Sequence, residues 1–389
     1  GVQTCALPIF KTWVDASITI TPSDTAEVGG TLTFIVTVRK DLGDGNGLIP
    51  ASGVDVTGAI TNVFGATATI TGGTCTTTVT DAAGQCTITV SSPTTGRTPG
   101  NASATILVGG VSIARDTDPD TATPQGPCTP NCGPAIKTWV DANITIGPDA
   151  VNPVGSPHTF TVTVKQDAGD GNGLQVVSGA TITPTLSNSG GATATITGGT
   201  CISGTTNASG QCTIIVNSPT PGTATVDVSV TLTINGYEGS AQVTRATNGN
   251  SGPGGSDGAQ KSWVNARISI ESDATNEVNH PHTFTVTVEA DNGSGFAPVS
   301  GVTVTPAITN SLGATSTITG GTCTTTVTDA AGQCTIVINS PTTGKTVANA
   351  SATVTVNEVD ITVSTAGDGG TGPATKTWVN AGIIIIPSD

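Results

Sequence analysis

The sequence predicts an all-β chain of tandem antiparallel β-sandwich domains joined by Gly/Pro-rich linkers. Three observations carry that reading. A tryptophan-centred word recurs at domain-sized intervals, apolar residues inside each interval alternate with a period of two, and each interval holds one cysteine pair at constant spacing.

The recurring word comes first, because an internal repeat decides architecture before any single residue does. Lys-Thr-Trp-Val-Asp-Ala starts at Lys11 and Lys137, returns as KSWVNA at Lys261 and as KTWVNA at Lys376, and so recurs at offsets of 126, 124 and 115 residues. All four tryptophans (Trp13, Trp139, Trp263, Trp378) sit in it. TFIVTV from Thr33 matches TFTVTV from Thr159 and Thr283, and GQCTI recurs around Cys86, Cys212 and Cys334. The words divide the chain into repeats at 10–114, 137–244 and 261–365. Linkers fall at 115–136, 245–260 and 366–375, and a truncated first strand of a fourth repeat at 376–389, with no sheet to join. Gly- and Pro-rich segments of this kind read as exposed linkers, flexible where Gly dominates and stiffer where Pro does.

Inside a repeat, Phe160, Val162 and Val164 share one strand face and Thr159, Thr161 and Thr163 the other, which is the pattern of a half-buried strand. In the opening strand Val14, Ala16, Ile18 and Ile20 point one way, and Trp13 and Asp15 the other. The tryptophan is therefore off the core face of its own strand. It packs either on the neighbouring domain or over its own sheet edge. Turn segments such as AGDGNG at Ala168, NASG at Asn207 and DAAG at Asp81 separate the strands.

The cysteines follow the same period. Cys75/Cys86, Cys201/Cys212 and Cys323/Cys334 are each eleven apart, and Cys128/Cys132 lie in the first linker. One pair per repeat is expected to form intradomain disulfides in an oxidising compartment, and Cys128 and Cys132 are expected to be disulfide-bonded as well. Buried free thiols are the competing reading. If 81–84 is a tight hairpin, Cys86 lies opposite Val79, so bonding to Cys75 requires the chain to bend back near Gly72 and Gly73. Cys5 drops out of the count, because residues 1–9 (GVQTCALPI) resemble the translation of a sequencing-adapter oligonucleotide. The chain is then a fragment of a longer repeat array.

The pattern NPVGSPHTFTVTV, a D-x-G-x-G turn and T-[DN]-A-[AS]-G-Q-C-T-I resembles the bacterial immunoglobulin-like repeats of surface proteins, including the invasin and intimin type. It is similar to their cysteine-containing versions. The T-D-A-x-G-Q turn, at 80–85 and 328–333 with its Asn/Ser variant at 206–211, is the most specific piece. The resemblance covers the chain after residue 10. It implies immunoglobulin-like sandwiches displayed at the cell surface or secreted, in a stalk or an adhesin, and it identifies no receptor.

Composition narrows the function classes. A net charge of −15 with no basic cluster argues against a nucleic-acid partner. No apolar run is long enough to span a bilayer, so no membrane span is expected within the fragment. The loops DLGDGNG at Asp41, DAGDGNG at Asp167 and DNGSG at Asp291 invite a calcium reading, but their Asp spacing and lack of a twelfth acidic ligand favour ordinary turns. Zinc is disfavoured because the cysteine pairs lack CxxC spacing and a histidine. No metal, cofactor or catalytic residue is expected, and no enzyme: His158 and His282 precede a Thr-Phe strand, Leu32 takes that place in the first repeat, and only His280 remains. Isopeptide bonds from Lys11, Lys137 or Lys261 to Asn need a buried carboxylate that the sequence does not show, so these lysines read as surface residues at strand starts. The expected function is a structural spacer whose partners are neighbouring repeats. The alternative is an adhesin whose repeats bind host, cell or glycan ligands, with Tyr237 and Phe296 as the repeat-specific aromatic anchors.

Overall fold

A computed structural model of the chain describes residues 11–124, 126, 132–367 and 369–386. Its regular structure is almost entirely strand, arranged as three antiparallel sandwiches in series. In the first, β1 (Asp15–Thr21), β3 (Leu32–Asp41), β7 (Gln85–Ser91) and β6 (Thr69–Gly72) form one sheet in the spatial order β1-β3-β7-β6. The two-residue β4 (Ile49–Pro50) lies against β3.

The facing sheet is built on β8 (Gly96–Val108). β5 (Val56–Ile60) pairs with it, as do β9 (Val111–Asp116) and the first half of β10 (Ala135–Gly147). β2 (Asp24–Glu27) adds to β10 in parallel. The second and third sandwiches repeat this order, with Gly222–Asn235 and Gly344–Val356 in the place of β8.

The two-residue period buries the faces it marks. Phe34, Val36 and Val38 on β3, and Cys86, Ile88 and Val90 on β7, point between the sheets. Ala102, Ala104, Ile106 and Val108 on β8 meet them from the other side. Small residues of β8 face large ones of the opposite sheet at several places. A Cβ on Gly100 would stand 2.6 Å from the Phe34 ring, so glycine lets β8 lie against it. Few aromatics are needed when β-branched and small residues interdigitate across two sheets.

β10 breaks the alternation, since almost every residue from Lys137 to Ile146 is buried. The reason is that β10 belongs to two sandwiches. Residues 135–139 pair with β8 of the first, and 141–147 pair with His158–Asp167 of the second. Strands Ala259–Ile270 and Ala374–Val379 open the same way.

Candidate functional site: the junction between repeats

Each shared strand changes face where it changes sandwich. Lys137 and Trp139 enter the first core, while Val140, Ala142 and Ile144 enter the second. Trp139, Trp263 and Trp378 are 0–1 % exposed, each in the core of the sandwich that precedes its own repeat. Their indole N–H groups donate to Thr98 Oγ1, the Ser156 carbonyl and Thr346 Oγ1, all at 3.0 Å. Of the two placements open from sequence, the neighbouring domain is the one found. Trp13, in the same word, is 75 % exposed.

This corrects the boundaries drawn from the words. Residues 137–139, 261–263 and 376–378 close the sandwich before them, so repeats beginning at 137, 261 and 376 cut a continuous strand two residues after its start. The segment 376–389 is not an orphan: Ala374–Val379 pairs with Gly344–Val356 on one side and Ala274–Glu277 on the other. Its Ile383 to Ile386 run is exposed.

The linkers are also not free. In 245–260, Ile144 donates to the Ser251 carbonyl (3.0 Å) and Asn143 Nδ2 to the Pro253 carbonyl (2.8 Å), so this stretch lies along the edge of β10. Ile20 with Cys132 and Ile268 with Gly369 show the same contact from 115–136 and 366–375. Pairing of the edge strand with the chain itself outweighs the freedom that Gly-rich composition would allow.

Lys137, Lys261 and Lys376 are 0 % exposed, so the surface reading fails for Lys137 and Lys261. They share the inward face of the closing strand with the tryptophan two residues on, which carries them inside. The ammonium of Lys137 lies 4.9 Å from the Phe34 ring centre. Those of Lys261 and Lys376 lie 5.7 and 5.8 Å from Trp263 and Trp378. Lys137 Nζ and Lys261 Nζ have no hydrogen-bond partner among the described residues, whereas Lys376 Nζ donates to Asn276 Oδ1 at 2.7 Å. Burial pushes all three amines down, Lys261 to about 8, and for Lys137 the nearby Asp24 charge works against it. Lys11 instead stacks on the exposed Trp13 at 4.4 Å.

The Asp/Gly turns of the second and third sandwiches meet the shared strands, and that of the first meets β1. Their carboxylates accept turn N–H groups: Gly43 on Asp41 (2.9 Å), Gly169 on Asp167 (2.9 Å), Gly293 and Gly295 on Asp291 (2.8 and 3.0 Å). The backbone N–H of Asn46 and of Asn172, and then their side-chain amides, hold Asp44 and Asp170 below the usual carboxylate range. Asp167 Oδ2 also accepts from Thr95 of the first sandwich at 2.8 Å. A Cβ on Gly169 would stand 2.6 Å from the Trp139 carbonyl and 2.9 Å from that of Gly96, so glycine is what lets this turn seat on its neighbour.

An ion pair completes the first junction. Arg245, 3 % exposed, bonds Asp141 on the shared strand and Glu27 of the preceding sandwich (2.6 Å), while its Nε donates to the Ala142 carbonyl (2.8 Å). Arg115 pairs with Asp15 in the corresponding place. In the third repeat Asn265 replaces the aspartate and Val363 the arginine, so both charges are lost together. Sequence inspection missed this pair because its members lie 104 residues apart.

The two aromatic anchors proposed for a ligand surface each have an arginine of the same chain over the ring, and Tyr237 remains 53 % exposed. Tyr237 lies on the first junction with Arg97 at 4.9 Å over its ring, and its backbone N–H meets Thr138 Oγ1 (3.3 Å). Arg267 covers Phe296 at 4.2 Å. Of the histidines, His158 and His282 stand edge-on to Phe160 and Phe284 at 4.7 and 4.5 Å, and His280 sits exposed near Glu277.

Disulfides join Cys75–Cys86, Cys201–Cys212 and Cys323–Cys334, each with Cα atoms 5.0 Å apart. The chain turns back where the spacing required. Pairing of β6 with β7 shifts register between Ile70 and Gly72, Gly73 takes φ 114°, and a 3₁₀ turn (Thr74–Thr76) aims Cys75 inward. Thr74 and Thr87 fasten the turn through reciprocal N–H to hydroxyl bonds of 3.0 and 2.9 Å. Cys132 is buried and disulfide-bonded. Cys128, Cys5 and the rest of residues 1–9 lie outside the described residues.

No family model matches the chain, and no curated protein does. Solved structures with a similar trace include three N-terminal domains of the highly immunogenic outer capsid protein Hoc of bacteriophage RB49. That match has 10 % identity and a TM-score of 0.27, over 94 % of this chain and 99 % of that one. InvD of Yersinia pseudotuberculosis matches at 14 % identity and a TM-score of 0.24, over 92 % and 98 %. Domains D0-D1 of intimin match at 16 % and 0.19, over 60 % and 98 %. Likenesses this low assign no activity or ligand. Among the described residues, no helix is long and apolar enough to cross a membrane.

Proposed function

We propose that the chain is a section of an extracellular stalk, a structural spacer that holds other parts of a surface or secreted protein at a distance and catalyses nothing. One observation carries the reading: at every junction a single strand closes one sandwich and opens the next. A pull along the chain then loads paired strands rather than a loose tether. The ion pair at Arg245 and the seated turn at Gly169 stiffen the first junction further. A catalytic or ligand-binding role needs side chains free to act. Tyr237 and Phe296 instead each have an arginine of their own chain over the ring. The test is small-angle scattering of the three-repeat chain. A stalk gives a distance distribution with one extended, well-defined length, and a string of freely jointed domains would contradict it. A glycan and cell-binding screen on the same chain tests the adhesive alternative, which specific retention would favour.

A further inference from the structure

Lys376 stands on the closing strand and Asn276 on the parallel strand beside it, two register positions along on the same face, with Nζ 2.7 Å from Oδ1. The lysine is wholly inside the sandwich, where a lone ammonium is costly, and burial favours its neutral, nucleophilic form. His282 lies close enough to feel the charge of Lys376, and its Nε2 is buried without a hydrogen-bond partner. The second sandwich has the same three residues at the same registers, Lys261, Asn152 and His158, although there Lys261 Nζ has no hydrogen-bond partner among the described residues and His158 Nε2 meets the Pro148 carbonyl at 3.0 Å. The first keeps Lys137 but has Ala26 for the asparagine and Leu32 for the histidine, so both partners are missing together.

We propose that Lys376 and Asn276 form an intramolecular isopeptide bond, and that Lys261 and Asn152 form its counterpart. The neutral lysine amine attacks the asparagine carboxamide carbon, and the new C–N bond replaces the bond to the amide nitrogen. One amine proton ends on that nitrogen, which leaves as ammonia. No electron is transferred and no other reactant is consumed. Among the described residues Asn276 is hydrogen-bonded to Lys376 and to the His280 and Pro281 carbonyls and to no carboxylate, so the amine proton passes directly to the leaving amide nitrogen. Such a bond would rivet the strand donated by the following repeat to the sandwich it closes. The proposal stands whether or not the chain is a stalk.

The experiment is intact mass of the reduced, unmodified full chain, followed by tryptic mapping. The expected mass is lower than that of the sequence by one ammonia per bond. Trypsin should fail to cut after Lys376, leaving the peptide that starts at Ile268 joined to the one that starts at Thr346. Asn276→Ala and Lys376→Arg should each restore one ammonia, and Lys137 should remain free as the internal reference. A mass equal to that of the sequence would overturn the proposal. So would ammonia loss with Lys376 still cleaved, which marks cyclisation of an asparagine elsewhere.

Discussion

The indole N–H of Trp139 donates to Thr98 Oγ1 at 3.0 Å, so a residue that opens the second repeat in sequence completes the core of the first in space. The donor and acceptor lie on paired strands, β10 and β8, and both side chains are fully buried. Each repeat therefore depends on its successor for an inner strand of one sheet, held between β8 and β2 in the first sandwich, and cutting the array at a word boundary removes it.

Trp263→Ala should for this reason damage the second sandwich. Truncating a buried tryptophan costs about 3–5 kcal/mol. Hydrogen exchange resolved by repeat should show the loss in strands His158–Asp167 and Gly222–Asn235, not in His282–Asp291. Loss confined to the third sandwich would restore the boundary at 261.

Arg245→Ala leaves Asp141 buried without its partner, and breaking such a pair costs about 3–5 kcal/mol. The exposed pair of Arg267 and Glu289 is the contrast, because Arg267→Ala should cost only about 0–1 kcal/mol. Urea unfolding of the two variants side by side checks the difference.

Gly169→Ala should loosen the first junction, since its Cβ would overlap the Trp139 and Gly96 carbonyls. Gly173→Ala has the same φ of +68° but open space around it, so it isolates backbone strain from contact. Scattering should show a broadened distance distribution for the first variant and an unchanged one for the second.

Buried lysine makes stability depend on pH once it is free to titrate. In Asn152→Ala the Lys261 amine has no acyl partner, and burial lowers it from 10.5 to about 8. Between these values the unfolded chain holds a proton that the folded chain lacks, so stability rises with pH across that window. Below about 8 both forms are protonated and the gain is absent. The urea midpoint of the second sandwich should be higher at pH 9 than at pH 7, and adding Lys261→Met should remove that rise.

The disulfides tie an eleven-residue separation, which contributes about 3 kcal/mol in the chain-entropy model. Reduction should lower the unfolding midpoint of all three sandwiches by similar amounts, because their bridges share one geometry. Unequal losses would show that the turn around Gly73 and its counterparts does not behave alike in each.

Much of this was legible from residues alone. Alternation at Phe160, Val162 and Val164 marked the core strand. The constant cysteine spacing marked the bridges, even to the bend near Gly72 and Gly73. The off-face position of Trp13 already hinted that the word serves two faces. Strand ownership was not legible, because composition locates a strand but does not say which sheet it pairs with. Glycine-rich 245–260 suggested a boundary where the chain in fact lies along β10. The lysines misled because lysine is seldom fully buried. Arg245 with Asp141 could not be seen because nothing local links residues so far apart.

The interlocked strand is tested most directly by amide exchange at Lys376, Thr377 and Trp378 in the full chain. These residues are paired with Thr346, Lys345 and Gly344. The account predicts protection equal to that of Thr346 and Ala348 in the core strand of the third sandwich. Exchange as fast as that of the exposed isoleucines at 383–386 would contradict it, and would return the word to a repeat of its own.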